Sequence, residues 1–155
     1  MEDLPVFLPV EQGLIYVEMS GDVLMAGTYQ INDGLTPRDV IKLTEALFAE
    51  NLSTDLSWSQ PLQTGERLEV TRKGREIRIV QRDWMSASHR MALLIPLHPD
   101  RMNMSDWQAL SGIGEALAQR IENDRQKNGE FGYLEALIRV DGIGRKRIDS
   151  WSEFF

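Results

Sequence analysis

Leu110-Ser111-Gly112-Ile113-Gly114 and Val140-Asp141-Gly142-Ile143-Gly144 repeat one pattern 30 residues apart: an aliphatic residue, a polar one, then Gly-Ile-Gly. Helix signals flank both copies. Asn103-Met104-Ser105-Asp106 has the form of a capped helix start, and that helix is expected to run to about Leu110. A second is expected from Glu115 to Asn128-Gly129, a C-cap signature. A short helix should cover roughly Tyr133 to Arg139. A last one should run from Arg145 to the chain end, with Ile148, Trp151 and Phe155 on one face. Each tripeptide therefore lies between two helices. Glycine tolerates the left-handed dihedrals of such a hairpin, and the isoleucine plugs the angle where the helices cross.

Two glycines also leave a turn without side chains, so its amides can approach a ligand closely. Those amides sit at the start of the next helix, where unsatisfied N–H groups and the helix dipole favour an anion. A nucleic-acid phosphate is one such anion, and an amide that contacts it reads no base. Arg145, Lys146 and Arg147 follow the second turn, whereas Glu115 follows the first. The second hairpin is thus the stronger candidate grip. The alternative is that both turns are structural, serving protein contacts, with the Arg145–Arg147 cluster a solvated face. Arg120 and Lys127 read as solvated cations, with assistance to DNA as their alternative. Trp107 and Trp151 fall on the apolar faces of their helices and read as core.

The first half has a different period. Leu14 to Ser20 is rich in β-formers, with Ile15, Val17 and Met19 on one face, and Thr28 to Ile31 reads as a second strand. Thr36-Pro37-Arg38-Asp39 gives a helix start, with Val40, Leu43 and Leu47 as its apolar stripe. Glu66 to Arg72 and Arg75 to Val80 alternate (Leu68/Val70, Ile77/Ile79) around Lys73-Gly74, a tight hairpin. Trp58 and Trp84 fit either a core or a binding surface. The order strand, strand, helix, strand, strand is that of a β-grasp domain, over residues 10–82. Residues 83–101 are expected to form an apolar connector, a strand or strap packed between the halves, since Pro96 and Pro99 exclude a long helix. Residues 102–155 form the helical domain, and the fold class is α+β.

The chain has 155 residues, enough for one ordinary domain or two small ones. No apolar run approaches the roughly 18 residues that a membrane helix needs. The N-terminal MEDLPVFLPV lacks the charged start and apolar stretch of a signal peptide. Two options stay open: a cytoplasmic protein, or one whose signal or anchor was removed. The absence of cysteine excludes disulfides and thiolate metal sites. Net charge is −7, with −6 in residues 1–100 and −1 in 101–155. A nucleic-acid binder is ordinarily basic, so a DNA argument must rest on the hairpins. Catalysis finds no support: His89 and His98 have no ligand spacing, and no phosphate-binding loop, dinucleotide fingerprint or Ser-His-Asp order occurs. No cofactor or metal is expected.

The run Leu110-x-Gly112-Ile113-Gly114-x-x-x-Ala118, then Asn128-Gly129-x-Phe131-x-x-Leu134-x-x-Leu137, then Val140-x-Gly142-Ile143-Gly144 resembles a tandem helix-hairpin-helix DNA-binding unit. It is most similar to the C-terminal part of ComEA-type competence proteins and covers residues 103–155. Val17, Gly21, Val23, Gly27 and Tyr29, then Val40-Ile41 and Leu62-x-x-Gly65-Glu66-x-Leu68, resemble the SLBB (soluble-ligand-binding β-grasp) module. Some competence proteins place that module ahead of the hairpins. Ala26 stands where the module usually has proline, and Ala46-Leu47-Phe48 replaces its small helix ending. His98-Pro99-Asp100-Arg101 replaces the usual Asn-rich lead-in. The resemblance implies a bacterial DNA-uptake protein outside the cytoplasm, in the periplasm or at the cell surface. It implies sequence-independent binding of double-stranded DNA, with uptake-machinery proteins as further partners. Gly112, Ile113, Gly114, Gly142, Ile143, Gly144, Arg145, Lys146 and Arg147 are the expected DNA-binding residues. A protein- or saccharide-interaction module without DNA binding is the alternative.

Overall fold

The computed structural model describes residues 13–44 and 58–155. The chain divides into two compact units, one ending at Asp83 and the other running from Trp84 to Phe155. Mixed α and β structure is thus arranged as the sequence suggests, with the sheet first and the helices after it. Leu47, the Ala46-Leu47-Phe48 segment and residues 10–12 lie outside the described residues, as does the side chain of Ile79.

In the first unit β1 (Leu14–Gly21), β2 (Gly27–Asn32), α1 (Pro37–Thr44), β3 (Glu66–Lys73) and β4 (Glu76–Trp84) follow in sequence. They build one sheet in the order β2-β1-β3-β4. β1 pairs antiparallel with β2, Val17 opposite Tyr29, and parallel with β3, Met19 opposite Leu68. A parallel pair needs a long crossover, and α1 falls within it. Alternation puts Ile15, Val17 and Met19 of β1 on the buried face with Leu68 and Val70 of β3 and Ile77 of β4. Trp58 and Leu62 complete this core. Gly21 ends β1 with φ +84°, and a β-carbon there would collide with the Val70 carbonyl.

α1 opens on a reciprocal cap: the Thr36 amide donates to Asp39 Oδ2 at 2.8 Å, and the Asp39 amide to Thr36 Oγ1 at 3.3 Å. Hydrogen bonds from the Thr36 amide and hydroxyl hold the Asp39 carboxyl below its ordinary range. Its buried residues are Pro37, Val40 and Ile41. Leu43, expected on this stripe, is 70% exposed. At about 100° per residue it falls about 60° beyond Val40, on the side away from Ile41. Glu66 is buried where alternation alone would put an apolar residue. Arg82 Nε meets its Oε1 at 2.7 Å, and the Gln63 amide donates to Oε2 at 2.6 Å. Such pairing is what makes a buried carboxylate tolerable.

The second unit contains α2 (Ala87–Ala92), α3 (Met104–Gln108), α4 (Glu115–Asn128) and α5 (Arg145–Trp151). Short 3-10 turns occupy Pro99–Arg101, Leu134–Arg139 and Ser152–Phe154. The 30-residue repeat of the sequence is also a repeat of the core. Trp107 and Leu137, Leu110 and Val140, Ile113 and Ile143, Ala118 and Ile148, Ile121 and Trp151 are all buried together. α3 starts at a capping box between Asn103 and Asp106, and α4 stops at Gly129, φ +87°.

From Trp84 on, the stretch expected as a connector is part of this second unit. Ala87 and Leu97 lie in its core with Met102 and Trp107. Asp106 is the fastening, since its Oδ1 accepts from the Ala87 amide at 2.7 Å and its Oδ2 from the Asn103 amide at 3.0 Å. The buried Arg90 guanidinium stands 3.9 Å from the same carboxylate. Pro96 and Pro99 exclude a long helix, as expected, but a short one fits before them because the Ser86 side chain caps it. Trp84 is half-buried beneath the Arg101 guanidinium, 4.1 Å from its ring centre.

Candidate nucleic-acid interface

Both Gly-Ile-Gly turns adopt the same backbone path. Gly112 (φ +81°) and Gly142 (φ +93°) are left-handed, which few other residues tolerate. The Ile113 amide donates to the Leu110 carbonyl at 3.2 Å and the Ile143 amide to the Val140 carbonyl at 3.1 Å. Gly114 and Gly144 are the residues before α4 and α5, and neither helix start is capped by a side chain. A β-carbon on either glycine would meet nothing within 4 Å. The first amides of both helices are therefore open to an outside acceptor.

The expected site residues separate into three kinds. Gly112, Gly114, Gly142 and Gly144 form the exposed surface of the turns. Ile113 and Ile143 are each 5% exposed and their amides are bonded internally. They plug the hairpins from inside and offer no side chain to a ligand. Arg145 and Lys146 are exposed, with no hydrogen bond or ion pair among the described residues. Arg147 is exposed too, but its Nη1 donates to the Gly112 carbonyl at 2.6 Å. It reaches back to the other hairpin.

Several other cations of this unit are engaged. Arg125 pairs with Glu122 at 2.6 Å, and Arg139 with Asp124 at 2.6 Å while its guanidinium lies 4.3 Å from the Phe131 ring centre. Arg120 and Lys127 make no hydrogen bond or ion pair among the described residues. They line an open recess with Asn123, Asn128, Val140 and Asp141, beside the second turn. Arg120 Nη1 stands 3.1 Å from where a β-carbon on Gly142 would be. Position 150, the repeat partner of Arg120, is serine, so the repeat did not single this arginine out.

The lead-in His98-Pro99-Asp100-Arg101 has a structural task. Asp100 Oδ1 accepts from the Phe131 amide at 2.7 Å and Oδ2 from the Gly132 amide at 2.8 Å. Burial pushes the Asp100 carboxyl up, but the bonds from Phe131, Glu130 and Gly132 outweigh it and hold the group below its ordinary range. Glu130 is displaced upward, first by its hydrogen bond to Asp100, then by burial and the Asp100 charge. The segment between the hairpins is thereby tied to the segment before them.

Residues 103–155 match the helix-hairpin-helix motif family, and this part of the chain is a helix-hairpin-helix unit. Beyond it, 135 residues are 23% identical to ComE operon protein 1 of Bacillus subtilis (strain 168). That match takes in 87% of this chain and 66% of the relative, so the chain spans just under two thirds of the relative's length. It is far longer than the motif and includes much of the first unit. The resemblance to ComEA-type competence proteins is thereby shown. No helix among the described residues is long and apolar enough to cross a membrane.

Proposed function

We propose that this chain binds double-stranded DNA through the phosphate backbone, without reading sequence, as a step in DNA uptake. One observation carries the reading: two turns of identical path, 30 residues apart, each present an open glycine ahead of uncapped helical amides. Gly112, Gly114, Gly142 and Gly144 offer the amide surface, and Arg145 and Lys146 add charge at the second turn. Amides and cations meeting phosphates discriminate no base. The net charge of −7 weakens long-range attraction, so affinity comes from contacts at the turns. The chain acts as a binder, with no catalytic step. Its first unit is a β-grasp domain of the SLBB kind, supported by a parallel β1–β3 pair with α1 in the crossover.

A second reading concerns that first unit alone. Leu24 and Met25, between β1 and β2, are 60% and 73% exposed. Apolar residues side by side at a loop tip favour contact with another protein. Both readings can hold together, one for each unit.

Fluorescence anisotropy with unrelated duplexes of equal length decides the main reading. Equal affinities that fall with salt are expected. Absence of binding at low salt, or a preference above about tenfold for one sequence, contradicts it.

A further inference from the structure

The two hairpins exchange arginines. Arg147, on α5 of the second hairpin, lies against the first turn. Its Nη1 donates to the Gly112 carbonyl at 2.6 Å and stands 3.3 Å from where a β-carbon on Gly112 would be. Arg120, on α4 of the first hairpin, lies against the second turn, 3.1 Å from the corresponding point on Gly142. In both places the absent side chain leaves room for a guanidinium as well as permitting a left-handed backbone.

The two arginines differ in what they have left to offer. One N–H of Arg147 is already bonded to the Gly112 carbonyl, which fixes where its guanidinium sits. Arg120 is exposed and makes no hydrogen bond or ion pair among the described residues. An exposed guanidinium whose donors are not taken up within the protein forms charge-assisted bonds to phosphate oxygens readily. Lys127, seven residues on along α4, lines the same recess, as do Arg139 and the carboxylates of Asp124 and Asp141.

We infer that Arg120 contacts a phosphate at the second turn, supplied by the opposite hairpin, and that Arg147 is a positioning residue that holds the two turns at a fixed separation. The inference rests on the DNA-binding reading above. A fixed separation matters because the second phosphate contact is then intramolecular, with a high effective concentration of the site. Duplex DNA holds its phosphates at set distances, whereas a single strand can adapt to loosened sites. Loss of the brace therefore costs duplex binding more than single-strand binding.

The test uses the full chain, Arg120→Ala and Arg147→Ala, titrated with a short duplex and with one of its strands over a series of salt concentrations. Both side chains are exposed, and circular dichroism confirms that the variants fold. Arg120→Ala is expected to flatten the duplex salt slope by about 0.9, one phosphate. Arg147→Ala should keep the parent slope and lose about tenfold in preference for duplex over single strand. A parent-like slope for Arg120→Ala overturns its assignment. A slope flattened by Arg147→Ala, or equal weakening of both DNA forms, overturns the other. Without DNA, Arg147→Ala should speed amide exchange at Ile113, and unchanged exchange refutes the brace by itself. If the parent binds neither DNA form, the functional reading fails and takes the Arg120 assignment with it, while the exchange result still decides the brace.

Discussion

Trp151 Nε1 donates to the Ser111 carbonyl at 2.9 Å, so the last helix of the chain is pinned to the first Gly-Ile-Gly turn. The indole is fully buried in the core that both hairpins share. Its ring holds the hairpins together by packing, and its N–H satisfies a carbonyl that the tight turn leaves without a helical partner. Trp151→Phe keeps most of the packing and loses the bond, and should cost about 1 kcal/mol. Trp151→Ala also leaves a cavity and should cost about 3–5 kcal/mol. Urea denaturation of the two variants checks the difference. Equal losses would mean that the bond matters and the packing does not.

Glycines of this chain divide by what surrounds them, and substitution should expose the division. Gly21→Ala meets both a left-handed backbone and the Val70 carbonyl. It should destabilise the sheet unit by more than about 2 kcal/mol, beyond the left-handed penalty alone. Gly114→Ala meets open space with φ −94°. It should cost less than about 1 kcal/mol and still weaken duplex binding, because its methyl stands at the approach to the α4 amides. Thermal melting and anisotropy on the same samples separate the two effects. Normal DNA affinity in folded Gly114→Ala would remove the first turn from the interface.

Truncation tests where the second unit begins. A chain starting at Trp84 retains Ala87 and Leu97 in the core and the Asp106 bonds to the Ala87 and Asn103 amides. It should melt cooperatively and, relieved of the acidic residues before it, bind duplex more tightly at low salt, where screening is least. A chain starting at Arg101 lacks those core residues and the Asp100 bonds to Phe131 and Gly132. It should lose several kcal/mol, each fully buried aliphatic side chain contributing about 1.5–3 kcal/mol. Equal melting temperatures for the two pieces would show that residues 84–100 add nothing to the fold.

The sequence by itself determined the features that neighbouring residues impose on one another. The cap at Thr36-Asp39, the capping box at Asn103-Asp106 and the helix from Glu115 to Asn128 lie where the residues indicate. The left-handed glycines at 112 and 142 do too. Each depends on backbone preferences and hydrogen bonds that span only a few residues, and the hairpin repeat adds a second copy of the same signals. The apolar faces of β1 and β3 were legible for a similar reason, because strand alternation is local.

Tertiary structure alone decided which side chains meet across long stretches of chain. Arg147 looked like one of three equivalent cations, yet it is the one that reaches Gly112, 35 residues away. Arg120 looked like an ordinary surface cation until folding set it beside Gly142. Leu43 lost its place in the core to Ile41, and Ala87 and Leu97 joined the hairpin core, because three-dimensional packing selects the face and the partner. A guanidinium on a long flexible stem can reach many neighbours, and local sequence carries no information about which one the fold will bring within range.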